Sequence, residues 1–365
     1  MKILMLARRY PPDVLSGTET VFENLYARAR KRHDVRLLVG FRRSRDRVPA
    51  EAWTVDLRSR GRIHGYVALW AAAWHRVLAW RPDVVLSNSI EAPLIPGVPT
   101  VCIIHDLNFG GRGEGLGRYT QLAYYRMKTR GFTRVVTVSD AMRGQLLEVL
   151  AGISPDRVVA IRNGVDLERF VPPPVSRPRG ETLKLCYPSR ILPGKAQHVA
   201  IDAVARMSAQ EKGRVRLRIV GTSVDADYLR QLRLQAAGQP VEFHVDVPDL
   251  VPYYQGADIV LFPTAMSEGF GFTTVEAMAC GRPVIHSDQD AIREATGGLG
   301  VSVPMNDAAA LRDAIRGLWA DVERGERLGR EGRAFVEAHY AWDGVWHRYE
   351  SLLRETLDGS SHGRS

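Results

Sequence analysis

Long apolar runs are the first thing this sequence lacks. No stretch reaches the roughly 18 to 20 residues needed to cross a bilayer, and the opening "MKILMLARRYPP" holds too short an apolar segment for a secretory signal. A cytoplasmic protein is the expectation. Cysteine is scarce as well. Cys102, Cys186 and Cys280 lie far apart inside apolar runs, which supports neither a disulfide framework nor a zinc site and makes them core residues. No acidic cluster has metal-ligand spacing, and no G-x-G-x-x-G follows "KILMLA", so a nicotinamide dehydrogenase is not supported.

What is present is ordinary globular composition: 365 residues, 45% hydrophobic and 25% charged, enough for two domains with real cores. The net charge of +9 is uneven, because residues 1–175 carry 27 of the 50 Lys and Arg but only 16 of the 41 Asp and Glu. Either a polyanion or an anionic membrane surface is a partner of the first half, or arginine is spread over solvated helix faces. The sequence leaves both open.

Short apolar runs alternate with amphipathic stretches. "KILMLA", "VRLLVG", "DVVLSNS", "TVCIIHD", "RVVTVSD" and "RVVAIRN" read as strands, with helices such as "TVFENLYARARKR" and "AMRGQLLEVLAG" between them, the latter capped by Ser139-Asp140. The prolines of "FVPPPVSRPRGET", residues 170–182, can continue neither element and read as a linker. A second alternation follows: "LKLCYPSR", "VRLRIVG", "VEFHVDV", "DIVLFPT", "RPVIHSD" and "LGVSVPM". Two doubly wound α/β domains in series are implied. The stretch 41–80, with Trp53, Trp70, Trp74 and Trp80, gives only an amphipathic impression, its tryptophans being packing residues before they are a membrane patch. "WDGVWHRYESLLRETL" carries one buried stripe, and the closing "DGSSHGRS" reads as a frayed tail.

In such sheets, ligands sit beyond the carboxyl ends of strands. "SEGFGFTTVE" lies at one of these junctions. Gly269 and Gly271 let backbone approach a ligand at a helix start that suits an anion, while Glu268 and Glu276 would accept hydrogen bonds from neighbouring hydroxyls. A capped helix with incidental acids is the plainer reading of that stretch alone. In "YPSRILPGKAQH", Arg190 and Lys195 flank a turn where two cations would neutralise a diphosphate, unless they are ordinary surface charge. Gly17 precedes a helix and offers another amide. His105 ends the strand "TVCIIHD", serving either a structural hydrogen bond or a ligand. The glycine-rich "NFGGRGEGLGR" reads as a mobile loop touching an acceptor.

Taken together, "HDLN", "VTVSDAM", "IRNGVDLERF", "YPSRILPGKAQH", "LRIVG" and "PYYQGADIVLFPTAMSEGFGFTTVEAMACGRPVI" resemble the family 4 retaining glycosyltransferases over nearly the whole chain. The resemblance implies the GT-B fold: two Rossmann-like doubly wound domains facing across a cleft, residues 1–172 with about 341–358 binding the acceptor and 180–340 binding the donor. It also implies a C-terminal helix crossing back to the first domain, with 359–365 a flexible tail. The implied reaction moves a hexose from a nucleoside-diphosphate sugar to a hydroxyl of a glycan, a lipid-linked saccharide or a small natural product, with retention, by front-face attack in which the leaving phosphate takes the acceptor proton. Glu276 would hold the ribose, Glu268 with the amides of Gly269, Phe270 and Gly271 the donor sugar, and Arg190 and Lys195 the diphosphate. Gly17 would offer it an amide, and His105 would line the sugar site.

No metal or other cofactor is expected, no nucleic acid is an expected partner, and attachment to the inner face of the cytoplasmic membrane accords with the basic first half. "HDLN" resembles bacterial mannosyltransferases of polysaccharide assembly, with uridine and deoxythymidine nucleotides as alternatives. The chain departs from the family at Ser16, at Ala196 where glycine often follows the motif lysine, and at Phe272-Thr273-Thr274 in place of a leucine-proline segment. A non-catalytic partner that binds a sugar nucleotide, and an epimerase or phosphorylase of the same architecture, are the alternatives.

Overall fold

The computed structural model describes residues 1–8, 10, 17–41, 48–57, 62–107, 116–150, 152–174 and 181–362. The chain forms two compact units, Met1–Gly164 with Trp342–Ser365 and Val165–Ala341. In the first, strands β1 (Lys2–Ala7), β2 (Asp34–Phe41), β3 (Trp53–Asp56), β4 (Val84–Ser87), β5 (Thr100–Ile104), β6 (Arg134–Thr137) and β7 (Val158–Ala160) pair in the order β3-β2-β1-β4-β5-β6-β7. In the second, β8 (Leu183–Pro188), β9 (Val215–Gly221), β10 (Val241–Val245), β11 (Ile259–Phe262), β12 (Val284–Ser287) and β13 (Val301–Val303) pair as β10-β9-β8-β11-β12-β13. All these pairings are parallel. Each sheet starts in the middle, grows one way for two strands and then reverses, which is the Rossmann order.

Burial explains why the apolar runs become strands. β4, β5 and β11 are buried at every residue, as central parallel strands covered on both faces must be. β9 instead turns Arg216 and Arg218 outward between buried neighbours, and the edge strand β10 is half-buried throughout. Every strand run read from sequence forms a strand. The stretch 41–80 resolves into β3 and a helix, Arg62–Trp80. Trp53 and Trp80 meet edge to face at 5.9 Å and Trp70 donates to the Glu91 carbonyl at 2.9 Å, so these three pack, while Trp74 is exposed. The three cysteines are buried and free. Among the described residues no helix is long and apolar enough to cross a membrane.

The division between the units falls ahead of the proline-rich stretch. Val165 donates to the Tyr340 carbonyl at 2.9 Å, the Phe170 ring meets Tyr254 at 5.8 Å, and Gln255 holds the Val171 carbonyl at 2.9 Å, all within the second unit. Residues 175–180 of the expected linker lie outside the described residues. The helix Trp342–His362 belongs to the first unit, where Val345, Trp346, Tyr349, Leu352 and Leu353 form the expected buried stripe. Asp343 pairs with Arg28 at 2.7 Å, and Glu350 meets His33 at 3.0 Å. The helix continues to His362, where the sequence suggests a tail from 359: no proline stops it, and elongation adds one hydrogen bond per residue fixed.

Candidate functional site

The order reversal of the second unit lies between β8 and β11, and the turns leaving those two strands carry Arg190, Lys195 and Glu268. The turns are stitched together. Thr264 Oγ1, the Ala265 amide and the Met266 amide all donate to the Gly194 carbonyl, at 3.2, 3.0 and 2.8 Å. That stitching sets Lys195 Nζ 2.5 Å from Glu268 Oε1, which also accepts from Thr264 Oγ1 at 3.1 Å, with the Phe262 ring 5.0 Å from the ammonium. Gln289, just past β12, braces the pair by accepting from the Glu268 amide at 3.0 Å and donating to the carbonyls of Thr264 and Met266.

Arg190 is exposed, and its guanidinium has no ion-pair partner among the described residues. Its turn is pinned from β9. Gly221 has φ 144°, and a Cβ there would lie 2.0 Å from the Ser189 carbonyl oxygen, so only glycine admits this approach. The residue after the motif lysine, Ala196, sits in the left-handed region at φ 56°, fully buried. Its departure from glycine therefore carries backbone strain as well as altered loop freedom.

The glycine turn ends at Gly271, the N-cap of the helix Phe272–Ala279, with φ 88° and no capping side chain. The amides of Gly271, Phe272 and Thr273 accordingly have no acceptor among the described residues. Thr273 Oγ1 donates to the Pro188 carbonyl at 3.0 Å, which ties this helix start to the end of β8, and Thr274 Oγ1 donates to Gly271 at 2.7 Å. Both hydroxyls of the unusual Phe-Thr-Thr segment are thus taken by backbone.

Glu276 stands on the next turn of that helix. Tyr254 donates to its Oε2 at 2.6 Å, leaving Oε1 without a described partner. It keeps some surface exposure yet is surrounded by protein, and burial pushes its carboxyl up to about 7, against smaller opposing effects of Tyr254 and Arg169.

Gly17 and His105 lie in the first unit. Gly17 opens the helix Gly17–Ala29, and Asn88, just beyond β4, links that helix to His105. Its amide nitrogen donates to the Thr18 carbonyl at 3.3 Å, so its oxygen faces His105 Nε2 at 2.7 Å, and Nε2 carries the ring proton. Burial holds the imidazole down to about 4, so it is neutral, and Nδ1 is a buried acceptor with no partner among the described residues. The glycine-rich stretch 108–115 lies outside the described residues. Among the described residues no group of three or more His, Cys, Asp and Glu could hold a metal ion.

Four residues escape the sequence reading: Tyr254, Thr264, Gln289 and Asn88. Three of them stand within two residues of a strand's carboxyl end, which is the signal that would have found them, whereas Tyr254 gives none.

Two family models match the chain, Glycosyltransferase Family 4 over residues 15–169 and Glycosyl transferases group 1 over 182–321. The chain belongs to glycosyltransferase family 4. This glycosyltransferase is 28% identical to the glycogen synthase of Mycobacterium tuberculosis, covering 94% of this chain and 92% of that one. It is 31% identical to a putative colanic acid biosynthesis glycosyltransferase of Salmonella typhimurium over 57% of this chain and 52% of the relative. Among solved structures, sucrose-phosphate synthase of Thermosynechococcus elongatus superposes with a TM-score of 0.82 at 20% identity, covering 98% and 100% of the two chains. Anabaena HepE in complex with UDP and glucose gives 0.78 at 20% identity, covering 97% and 100%. The fold of this glycosyltransferase is that of the GT-B enzymes.

Proposed function

We propose that this glycosyltransferase moves a hexose from a nucleoside diphosphate to an acceptor hydroxyl with retention of configuration, the second unit holding the donor. The observation that carries the reading is the Lys195 ammonium, 2.5 Å from Glu268, in a turn tied to the bare N-terminus of the helix that bears Glu276. An arriving diphosphate would take Lys195 and Arg190 as its cations and the free amides as donors. Glu276 Oε1 would accept a ribose hydroxyl while Tyr254 fixes the other oxygen, and Glu268 would face the donor sugar. The bond from the anomeric carbon to the diphosphate breaks with its electron pair on phosphate, the acceptor oxygen bonds that carbon on the same face, and the acceptor proton passes to the phosphate. Preorganised charge on the leaving group is worth roughly 3 to 4 kcal/mol per group. The two cations would supply it without a metal, so treatment with EDTA is expected to leave the rate unchanged. For Gly17, an amide for phosphate, and for His105, an Nδ1 acceptor for a sugar hydroxyl, the roles rest on the family resemblance.

A uridine nucleotide is the first donor to try, because the similar HepE was solved with UDP and with UDP-glucose; GDP-mannose is the second. The test is thermal unfolding with UDP, GDP, ADP and dTDP after EDTA treatment, on the wild type and on Glu276→Ala. One nucleotide at a hundred times its Kd is expected to add about 2.7 kcal/mol to the wild type and much less to the variant. No response to any of the four, together with no transfer from their sugars, would sink the reading.

The acceptor hydroxyl is proposed to reach the enzyme at an anionic membrane surface, with the enzyme cytoplasmic. Val67, Trp74 and Leu78 lie on one face of the helix Arg62–Trp80 with 60%, 37% and 71% exposure, large apolar residues left to water on a helix that carries Arg62 and Arg76 and no acidic residue. Sedimentation with phosphatidylglycerol vesicles at low salt is expected, and Leu78→Ser is expected to weaken it. Wild-type protein that stays in the supernatant would end this extension.

A further inference from the structure

The order reversal of the first unit lies between β1 and β4. Arg8 follows β1 directly and Glu91 stands just beyond β4. A topology that places a ligand crevice at such a reversal places it here. Arg8 Nη1 donates to both Glu91 Oε2 and the Tyr66 hydroxyl, Tyr66 donates to Glu91 Oε1, and the guanidinium lies 5.0 Å from the Tyr66 ring centre. Glu91 is fixed from behind, its amide held by Ser89 Oγ at 3.1 Å and its carbonyl by Trp70 Nε1 at 2.9 Å. The Arg8 and Glu91 side chains keep 20% and 25% exposure, so the cluster is anchored and still open to solvent.

Resting on the glycosyl-transfer reading above, we propose that Arg8, Tyr66 and Glu91 read the acceptor, and that they select an uncharged vicinal diol, the edge of a sugar or polyol ring, over a phosphate-bearing acceptor. A guanidinium, a phenol and a carboxylate side by side alternate donor and acceptor. A pair of neighbouring hydroxyls, each able to give and to take, matches that pattern. A phosphate does not, because it can only accept and would compete with Glu91 for Arg8. Burial, with smaller contributions from the exposed Asp106 and from Glu91, pushes the Tyr125 hydroxyl up to about 12, so it stays a neutral phenol.

Among the described residues, several arginines of the first half are committed elsewhere. Arg28 pairs with Asp343 and Arg162 with Asp140. Arg157 donates to the carbonyls of Arg130 and Phe132, and Arg143 to those of Val158 and Pro155. These arginines serve ion pairs and chain ends.

The experiment compares methyl hexosides with hexose phosphates and inositol phosphate as acceptors, using the donor that stabilises the wild type. Transfer to the neutral glycosides is expected at least tenfold above the phosphorylated set in kcat/KM. Glu91→Gln and Tyr66→Phe are each expected to lose roughly ten- to a hundredfold in that value through a raised acceptor KM, as removal of a charged hydrogen bond implies. Nucleotide-induced stabilisation should be retained in both, which reports that they fold and keep the donor site. Preference for phosphorylated acceptors, or wild-type acceptor KM in both variants, overturns the proposal. Loss of nucleotide response in the wild type itself would instead bring down the donor reading on which it rests.

Discussion

At the order reversal of the second unit a lysine meets a glutamate near a helix start whose first amides have no partner among the described residues, and at that of the first an arginine is already neutralised by a glutamate and held by a tyrosine. The strand order around the two points is the same. Topology therefore says where a ligand goes, and the residues of the two turns say what it is. Lys195 can exchange Glu268 for a phosphate, because the diphosphate also gains Arg190 and the amides. Lys128, the other cation that Glu91 feels, is buried and donates to the Ala92 carbonyl, so the pairing of Arg8 with Glu91 fits hydroxyls better than an anion. The contrast is one between a site that stabilises charge and a site that sorts neutral surfaces.

The sharpest way to break that contrast is Lys195→Ala. If the second unit carries the charge stabilisation, turnover falls at least about a hundredfold with every acceptor alike, whereas the first-unit variants shift acceptor choice. The substitution also leaves Glu268 without its cation, so the unfolding midpoint should be measured alongside. Folded protein with wild-type turnover would remove Lys195 from the chemistry.

A smaller effect sharpens it further. Burial raises the Glu276 carboxyl from an ordinary 4.5 to about 7, so folding favours the protonated form. Its contribution to stability is complete below about 4.5 and is lost as pH rises through about 7. Ribose hydroxyls favour the ionised form instead. Nucleotide affinity is therefore expected to strengthen with pH up to about 7, by at most about tenfold per unit, and to lose that slope in Glu276→Gln. Titration of UDP by calorimetry from pH 5.5 to 8 checks it, and a flat profile in the wild type would mean that Glu276 does not bind the ligand as a carboxylate. Arg8 and Glu91 of the other unit are predicted to leave this profile alone.

Much of this was legible in the sequence, for physical reasons. Parallel strands buried on both faces have to be apolar runs, so "KILMLA" and "DIVLFPT" announced β1 and β11 and, with the order of the motifs, the turns that follow them. β3 stayed hidden because Trp53–Asp56 is four residues long and only half-buried, giving no period to read. The pairing of Lys195 with Glu268 was out of reach because it joins residues 73 apart through a shared carbonyl at Gly194, and nothing local encodes that. The same holds for the Arg8, Tyr66 and Glu91 cluster, whose members come from three different connections.

The smallest predicted effect tests how tightly the second site is held. Ala196 occupies a left-handed conformation at φ 56° with its Cβ fully buried. An L-residue there costs roughly 1 to 2 kcal/mol, and glycine relieves it at the expense of about 0.4 to 1 kcal/mol in unfolded-chain entropy. Ala196→Gly is thus expected to stabilise the fold by up to about 1 kcal/mol, read as a rise in urea midpoint at unchanged m-value. The Lys195 carbonyl is held by the Tyr187 hydroxyl and its amide by the Leu192 carbonyl, so the lysine should keep its place and turnover should stay within about twofold. A stabilised variant with lost turnover would show that the strain itself aims Lys195, and would place preorganisation, rather than charge alone, at the centre of what separates this site from its counterpart in the first unit.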